Sequence, residues 1–123
     1  MRDSANTPAS AECVFCKIAR KEIPVREIER TEDAVVFADL DPKAPCHLLV
    51  IPARHAENLG AFAAEAGERA VGALFALASK VGREASEAGA YRIVVNEGAE
   101  AGQTVFHLHL HVLAGRRMGW PPG

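Results

Sequence analysis

Apolar positions recur along this chain at two different periods, and the periods alternate. Val14, Phe15, Ile18 and Ile23 stand three to five residues apart, which predicts a short helix over residues 13–23 ended by Pro24. Residues 25–29 alternate apolar and charged side chains, as an edge strand does. Residues 34–40 (AVVFADL) read as a stronger strand, closed by Asp41-Pro42. Residues 47–51 (HLLVI) are nearly all apolar, the pattern of a strand covered on both faces. Helical spacing returns at Ala70, Leu74, Leu77, Val81 and Ala85 and predicts one long helix with Gly89 as its C′ residue. Within it Gly67, Gly72 and Gly82 each cost about 1 kcal/mol relative to alanine, and Gly72 with Ala76 makes a side that a second helix could approach closely. Two further strands, residues 91–96 and 105–114, flank a glycine-rich loop over 97–104. Residues 1–12 are small and polar and read as a disordered tail. No repeat or linker divides residues 13–123. The pattern predicts a single α+β domain, mostly antiparallel strands with helices packed on them.

Composition narrows the function classes. A chain of 123 residues suits one domain, and 49% hydrophobic residues suffice for a core. The net charge of −2, with no run of Lys or Arg, excludes an electrostatic grip on nucleic acid. No apolar stretch of membrane-spanning length occurs. The first twelve residues lack the apolar segment of a secretory signal, so the expected location is the cytoplasm. Three cysteines are too few and too odd in number for a disulfide framework. Cys13-Val-Phe-Cys16 has the spacing of a metal or redox pair, whereas Cys46 reads as core.

Three of the five histidines occupy alternate positions in Phe106-His107-Leu108-His109-Leu110-His111-Val112. In a strand this puts the three imidazoles on one face and the apolar side chains on the other. Burying three imidazoles without purpose is costly. A metal site is one reading, although neighbours on one strand face stand about 6.5–7 Å apart and do not converge easily on one ion. A phosphate-handling site is the other: imidazole titrates near neutrality, so one ring can attack while a neighbour donates a hydrogen bond or a proton. These residues alone leave open which of the three is the nucleophile.

The pattern His-φ-His-φ-His-φ-φ, with φ apolar, resembles the signature of the histidine triad (HIT) superfamily, and residues 107–113 fit it at every position. The ending 115–123 (GRRMGWPPG) is similar to the HINT branch, the adenosine phosphoramidases related to protein kinase C-interacting protein. Ile23-Pro24, Phe37-Ala38-Asp39, Ala44-Pro45-Cys46-His47, Val50-Ile51-Pro52 and residues 91–98 (YRIVVNEG) also match, so the resemblance runs from about residue 13 to the end. It implies a HIT-like fold: a five-stranded, mainly antiparallel sheet with one long and one short helix, dimerising into a ten-stranded sheet. The implied reaction is hydrolysis of adenosine 5′-phosphoramidates such as AMP-lysine. His109 attacks the α-phosphorus, and water releases the nucleotidyl-histidine. His111 contacts phosphate and leaving group, and His47 supports His109 from a neighbouring strand. Rival functions are a dinucleoside polyphosphate hydrolase and a non-catalytic nucleotide-binding regulator.

By the same resemblance Asp39 accepts the ribose hydroxyls, although a loop cap before Asp41-Pro42 is the plainer reading of that carboxylate. Asn96 and the stretch Gly102-Gln103-Thr104 serve phosphate, the latter through backbone N–H groups and the Thr104 hydroxyl, where most HINT relatives carry serine. Val14, Phe15, Ile18, Ile23, Phe37 and Leu40 match the family's apolar walls for the base, and core packing explains each of them equally well. Cys13, Cys16, His55 and His107 complete a Cys₂His₂ set for a structural zinc, and catalysis needs no cofactor. The partners implied are a purine nucleotide and a second copy of the chain, toward whose site Trp120 extends.

Overall fold

The structure, a computed structural model, describes residues 13–123; the expected N-terminal tail, residues 1–12, lies outside the described residues. Five strands form one antiparallel sheet: β1 (Glu27–Arg30), β2 (Ala34–Ala38), β3 (Cys46–Pro52), β4 (Tyr91–Val94) and β5 (Leu110–Ala114), in the order β1-β2-β3-β5-β4. β2 and β3 are buried and largely apolar on both sides, whereas β5 buries Leu110, Val112 and Ala114 on one face and leaves His111 and Leu113 half-buried on the other. Val36, Leu48, Val50, Leu110 and Val112 face one core, with Leu74, Ala78 and Val81 of the long helix. The intervening Val35, Phe37, Leu49 and Ile51 face a second core with Phe15 and Ile18 of the short helix. That alternation decides which side of the sheet the histidines take. Among the described residues no helix is long and apolar enough to cross a membrane.

Several boundaries differ from the pattern-based expectation. The short helix α1 is Val14–Ala19, and Pro24 does not end it. Lys21 takes φ 64° and the Glu22 N–H bonds back to the Lys17 carbonyl at 2.8 Å, so the helix closes in a left-handed cap. The expected long helix is two helices, α2 (Leu59–Ala66) and α3 (Glu68–Glu84), broken at Gly67 with φ 91°. α2 starts where the Asn58 side chain accepts from Ala61 N at 2.9 Å, a capping signal present in the sequence. α3 ends at Glu84, five residues before Gly89.

Gly72 and Ala76 are exposed, and among the described residues no second helix lies on them. The close approach is at Gly82 instead, where a Cβ would stand 2.6 Å from the ring of Tyr91. The Tyr91 hydroxyl shares a 2.6 Å hydrogen bond with Ser79 Oγ, so α3 and the edge strand β4 lock together there.

β5 begins at Leu110 and not at residue 105. The side-chain alternation expected of a strand persists through 107–109, since Leu108 joins the first core while His107 and His109 are buried on the other side. The ladder stops for lack of partners. Pro52 has no N–H to offer, Leu108 N bonds to Ala56 O at 2.8 Å, and the His107 carbonyl is taken by the ring of His109.

Candidate functional site

Five imidazoles sort into two centres, three beside the cleft and two with the cysteines. His111 on β5 pairs with Leu49 on β3, and His47 lies two residues from Leu49, on the same face. Diagonal neighbours of this kind lie within reach of long side chains. His47 Nε2 stands 2.9 Å from His111 Nδ1. The Lys43 backbone N–H donates to His47 Nδ1 at 3.0 Å, so the neutral ring of His47 carries its proton on Nε2. That proton points at His111 Nδ1, with Asp39 Oδ2 also 3.4 Å from His47 Nε2. His111 Nδ1 is therefore an acceptor, and its neutral ring carries a proton on Nε2.

His109 has the opposite tautomer. Its Nδ1–H donates to the His107 carbonyl at 2.8 Å, which leaves Nε2 as the lone-pair nitrogen. The two rings touch edge to face with centroids 5.1 Å apart. Neighbouring imidazoles thus present one lone pair and one N–H. Burial, with His109 and His47 close by, holds the His111 imidazole down at about 4, so this ring is neutral near pH 7. Burial also lowers His47, against the pull of Asp39.

A cleft of about 290 Å³ opens beside these two rings. Its walls are Val14, Phe15, Ile18 and Phe37 with Asp39 and Thr104, as the sequence suggested, and also Val25, Leu49 and Val105, which the sequence reading did not single out. Leu49 was findable, because it sits two residues from His47 on one strand. Leu40 lines the cleft while 91% exposed. Phe15 closes its inner end, edge-on to His109 at 5.2 Å and to Phe37 at 5.7 Å between centroids. Asp39 performs the loop cap, its Oδ1 accepting from Asp41 N at 2.8 Å, and still faces the cleft.

Other expected contacts lie elsewhere. Ile23 lines a separate small cavity with Lys21, Pro24 and Glu27. The N–H groups of Gly102 and Gln103 bond to Ala99 O and Gly98 O, at 3.0 and 3.1 Å, and so are committed within their own loop. The buried Gln103 side chain staples that loop, accepting from Gly98 N and donating to Glu57 O and Val105 O. Of that stretch only Thr104 reaches the cleft wall. Asn96 packs beside Gly102 at the loop's base, outside the cleft lining. Trp120 is 83% exposed, and its segment is tied down by Arg92, which donates to Gly119 O at 2.8 Å. The expectation that His47 supports His109 is corrected: the partner of His47 is His111, because the strand register places them diagonally.

The second centre joins Cys13 and Cys16 of the α1 end, His55 of the loop after β3, and His107. His107 Nε2–H donates to Pro52 O at 2.9 Å, which turns its Nδ1 lone pair toward the other three. His107 Nδ1 lies 3.4 Å from Cys13 Sγ, 3.5 Å from Cys16 Sγ and 3.3 Å from His55 Nδ1, and Cys16 Sγ is 3.3 Å from His55 Nδ1. Tetrahedral zinc, with ~2.3 Å bonds to sulfur and ~2.05 Å to nitrogen, separates its ligand atoms by about 3.6 Å (S to N) and about 3.3 Å (N to N). The four donors fit that ion. The carboxylate–imidazole group Asp39, His47 and His111 does not: its 2.9 Å ring-to-ring distance is that of an N–H···N hydrogen bond. Without a cation, burial and the neighbouring Cys13 push the Cys16 thiol up to about 12, and a metal would reverse this.

Comparison with known proteins bears on the family and the fold. The HIT domain family matches residues 20–118. An uncharacterized HIT-like protein of Synechocystis is 42% identical over 110 residues, 89% of this chain and 96% of its relative. A 14 kDa zinc-binding protein of Zea mays is 39% identical over 113 residues, covering 89% and 87%. The crystal structure of a HIT family hydrolase from Legionella pneumophila superposes with a TM-score of 0.83 at 38% identity, covering 91% of this chain and all of that one.

Proposed function

The chain belongs to the HIT domain family, and on that premise we propose that it is a hydrolase of purine nucleoside 5′-phosphoramidates, of the HINT branch. One observation carries this reading: adjacent His109 and His111 hold opposite tautomers at the mouth of one cleft, a lone pair beside a donor.

His109 Nε2 attacks the α-phosphorus while its Nδ1–H, held by the His107 carbonyl, stabilises the charge that develops on the ring. The phosphorus–nitrogen bond breaks, and its electron pair leaves on the amine. An amine departs only with a proton. His111 Nε2 carries a proton and its Nδ1 is taken by His47, so the ring donates that N–H as a hydrogen bond toward the phosphoryl group and the departing nitrogen. That nitrogen takes its proton from a solvent water held at the ring. Water then attacks the nucleotidyl-histidine, its proton passes to solvent, and His109 is restored. The apolar walls Val14, Phe15, Ile18, Phe37 and Leu49 receive the base, and Asp39 receives the ribose hydroxyls.

Cys13, Cys16, His55 and His107 would hold a zinc whose four protein ligands leave no open position; bound there, it supplies stability and no Lewis-acid chemistry. Its role toward the site is to anchor α1, whose Phe15 packs against both His107 and His109.

The active form in this reading is a homodimer. β4 is an edge strand with half-buried residues throughout, the Gly72 side of α3 is open, and Trp120 is exposed. Light scattering at micromolar concentration should give twice the chain mass, and deleting residues 120–123 should change kcat or substrate preference while AMP still binds.

The deciding experiment compares kcat/KM for AMP-lysine, an aminoacyl-AMP and a diadenosine polyphosphate. The phosphoramidate should be cleaved fastest, with a nucleotidyl adduct trapped on His109. Faster cleavage of the polyphosphate would overturn the substrate assignment, and binding without turnover of any of the three would overturn the enzyme.

A further inference from the structure

The tautomer of His111 is set from outside the cleft. His111 accepts from His47 at 2.9 Å, and His47 accepts from the Lys43 backbone N–H at 3.0 Å. Lys43 belongs to the loop between β2 and β3, where its N–H must be aimed by the loop itself. That loop meets the turn that follows β5. Arg116 Nη2 donates to the Lys43 carbonyl at 3.2 Å and Nη1 to the Arg117 carbonyl at 3.1 Å, so one guanidinium bridges the two segments. The contact is tight nearby: a Cβ on Gly115 would stand 2.9 Å from Pro45 Cβ. The Lys43 side chain plays no part in this bridge, since its ammonium is bound to Asp41.

We infer that Arg116 is a positioning residue for the phosphoryl chemistry, acting through the Lys43 main chain and His47 on the tautomer of His111. The inference rests on the reading of His109 and His111 as nucleophile and donor. Its physical basis is an either-or choice. With the Lys43 N–H in place, His47 Nδ1 can only accept, and His111 presents Nε2–H to the cleft. If that N–H swings away, His47 is free to carry its proton on Nδ1. His111 then donates from Nδ1 to His47 and turns a lone pair toward the cleft. A lone pair facing phosphate oxygen repels it, and the departing amine and its solvent proton donor lose the N–H that holds them in place. Asp39, 3.4 Å from His47 Nε2, favours the same tautomer as Lys43, so loss of Arg116 should weaken the preference and not erase it.

The test is Arg116→Ala beside Arg116→Lys and Arg117→Ala in the full chain. Imidazole ¹⁵N spectra of the free protein report the protonated nitrogen of each ring without substrate. In Arg116→Ala the Nδ1 signals of His47 and His111 should move toward a mixture of tautomers, and kcat should fall about threefold to tenfold, as for loss of one partly exposed hydrogen bond, with KM nearly constant. Arg116→Lys, which keeps a donor, should recover most of both, and Arg117→Ala, whose side chain makes no bond to the loop, should match the parent. Unchanged ¹⁵N shifts in Arg116→Ala, or an equal loss in Arg117→Ala, would overturn the inference. Shifted tautomers in a protein that cleaves no phosphoramidate would uphold it and sink the proposed reaction instead.

Discussion

His47 on β3 is bound to His111 on β5 through a 2.9 Å contact between ring nitrogens, and not to His109. In the proposed reaction His47 then supports the donor ring, and the attacking ring is left to the main chain of its own segment. His47→Ala should therefore act through His111. We expect kcat to fall about tenfold, the cost of leaving one buried ring nitrogen unpaired, with nucleotidyl-histidine formation slowed in single-turnover experiments. A loss as deep as that of the nucleophile variant would put His47 in direct contact with the reaction.

His109→Ala removes the only ring that presents a lone pair to the cleft. Turnover should drop by several powers of ten, while AMP affinity, measured calorimetrically, stays within about threefold because the apolar walls are untouched. Activity within tenfold of the parent would eliminate His109 as nucleophile.

Metal analysis of protein purified without chelator should find about one zinc per chain, lost in Cys16→Ser. Removing it should lower the melting temperature, since a site filled to 1,000 times its Kd adds about 4 kcal/mol to stability. Activity should need no added metal. A metal-free preparation with unchanged melting would retire the site.

Acid should destabilise the fold through the buried His111. Burial holds this ring down at about 4, below the 6.5 of the unfolded chain. Its contribution is complete above pH 6.5 and is lost as pH falls toward 4, by at most about 1.4 kcal/mol per pH unit. Melting temperature followed from pH 7.5 to 4.5 should show this slope, and His111→Asn should flatten it. An identical slope in that variant would assign the effect to other groups.

Gly82→Ala places a methyl group 2.6 Å from the Tyr91 ring. The expected cost is about 1–3 kcal/mol of overpacking, against about 1 kcal/mol gained in helix propensity, so melting temperature should fall. Gly72→Ala meets nothing within 4 Å among the described residues, so it should raise the melting temperature unless that face is the seam of the proposed homodimer. If Gly72→Ala destabilises instead, that helix face is covered in solution.

Local periodicity carried a long way here. The alternation of His107, His109 and His111 with apolar neighbours was readable because a strand sends successive side chains to opposite faces, and the faces hold even where the ladder has ended. The apolar runs 34–40 and 47–51 announced two strands, the second as one covered on both faces, and the strands found are Ala34–Ala38 and Cys46–Pro52. Cys13, Cys16, His55 and His107 were nameable from residue type and family resemblance, since thiolate and imidazole with this spacing have few other uses. Helix ends were less legible. The cap at Lys21 uses a left-handed φ that a lysine seldom adopts and that nothing in its sequence announces, and the break at Gly67 uses one that glycine permits without requiring.

What the sequence could not express was partnership across the sheet. The diagonal of His47 and His111 follows from the register Leu49 to His111, which is fixed by matching two apolar faces and not by any local signal. The same holds for Gly102 and Gln103, whose glycine-rich context suggested donors for phosphate but whose N–H groups are consumed by their own loop. Tautomers were beyond its reach as well. A proton sits on Nδ1 of His109 and on Nε2 of His111 because a carbonyl faces one ring and a backbone N–H, relayed through His47, faces the other, and only the folded chain brings those groups within 3 Å of the rings.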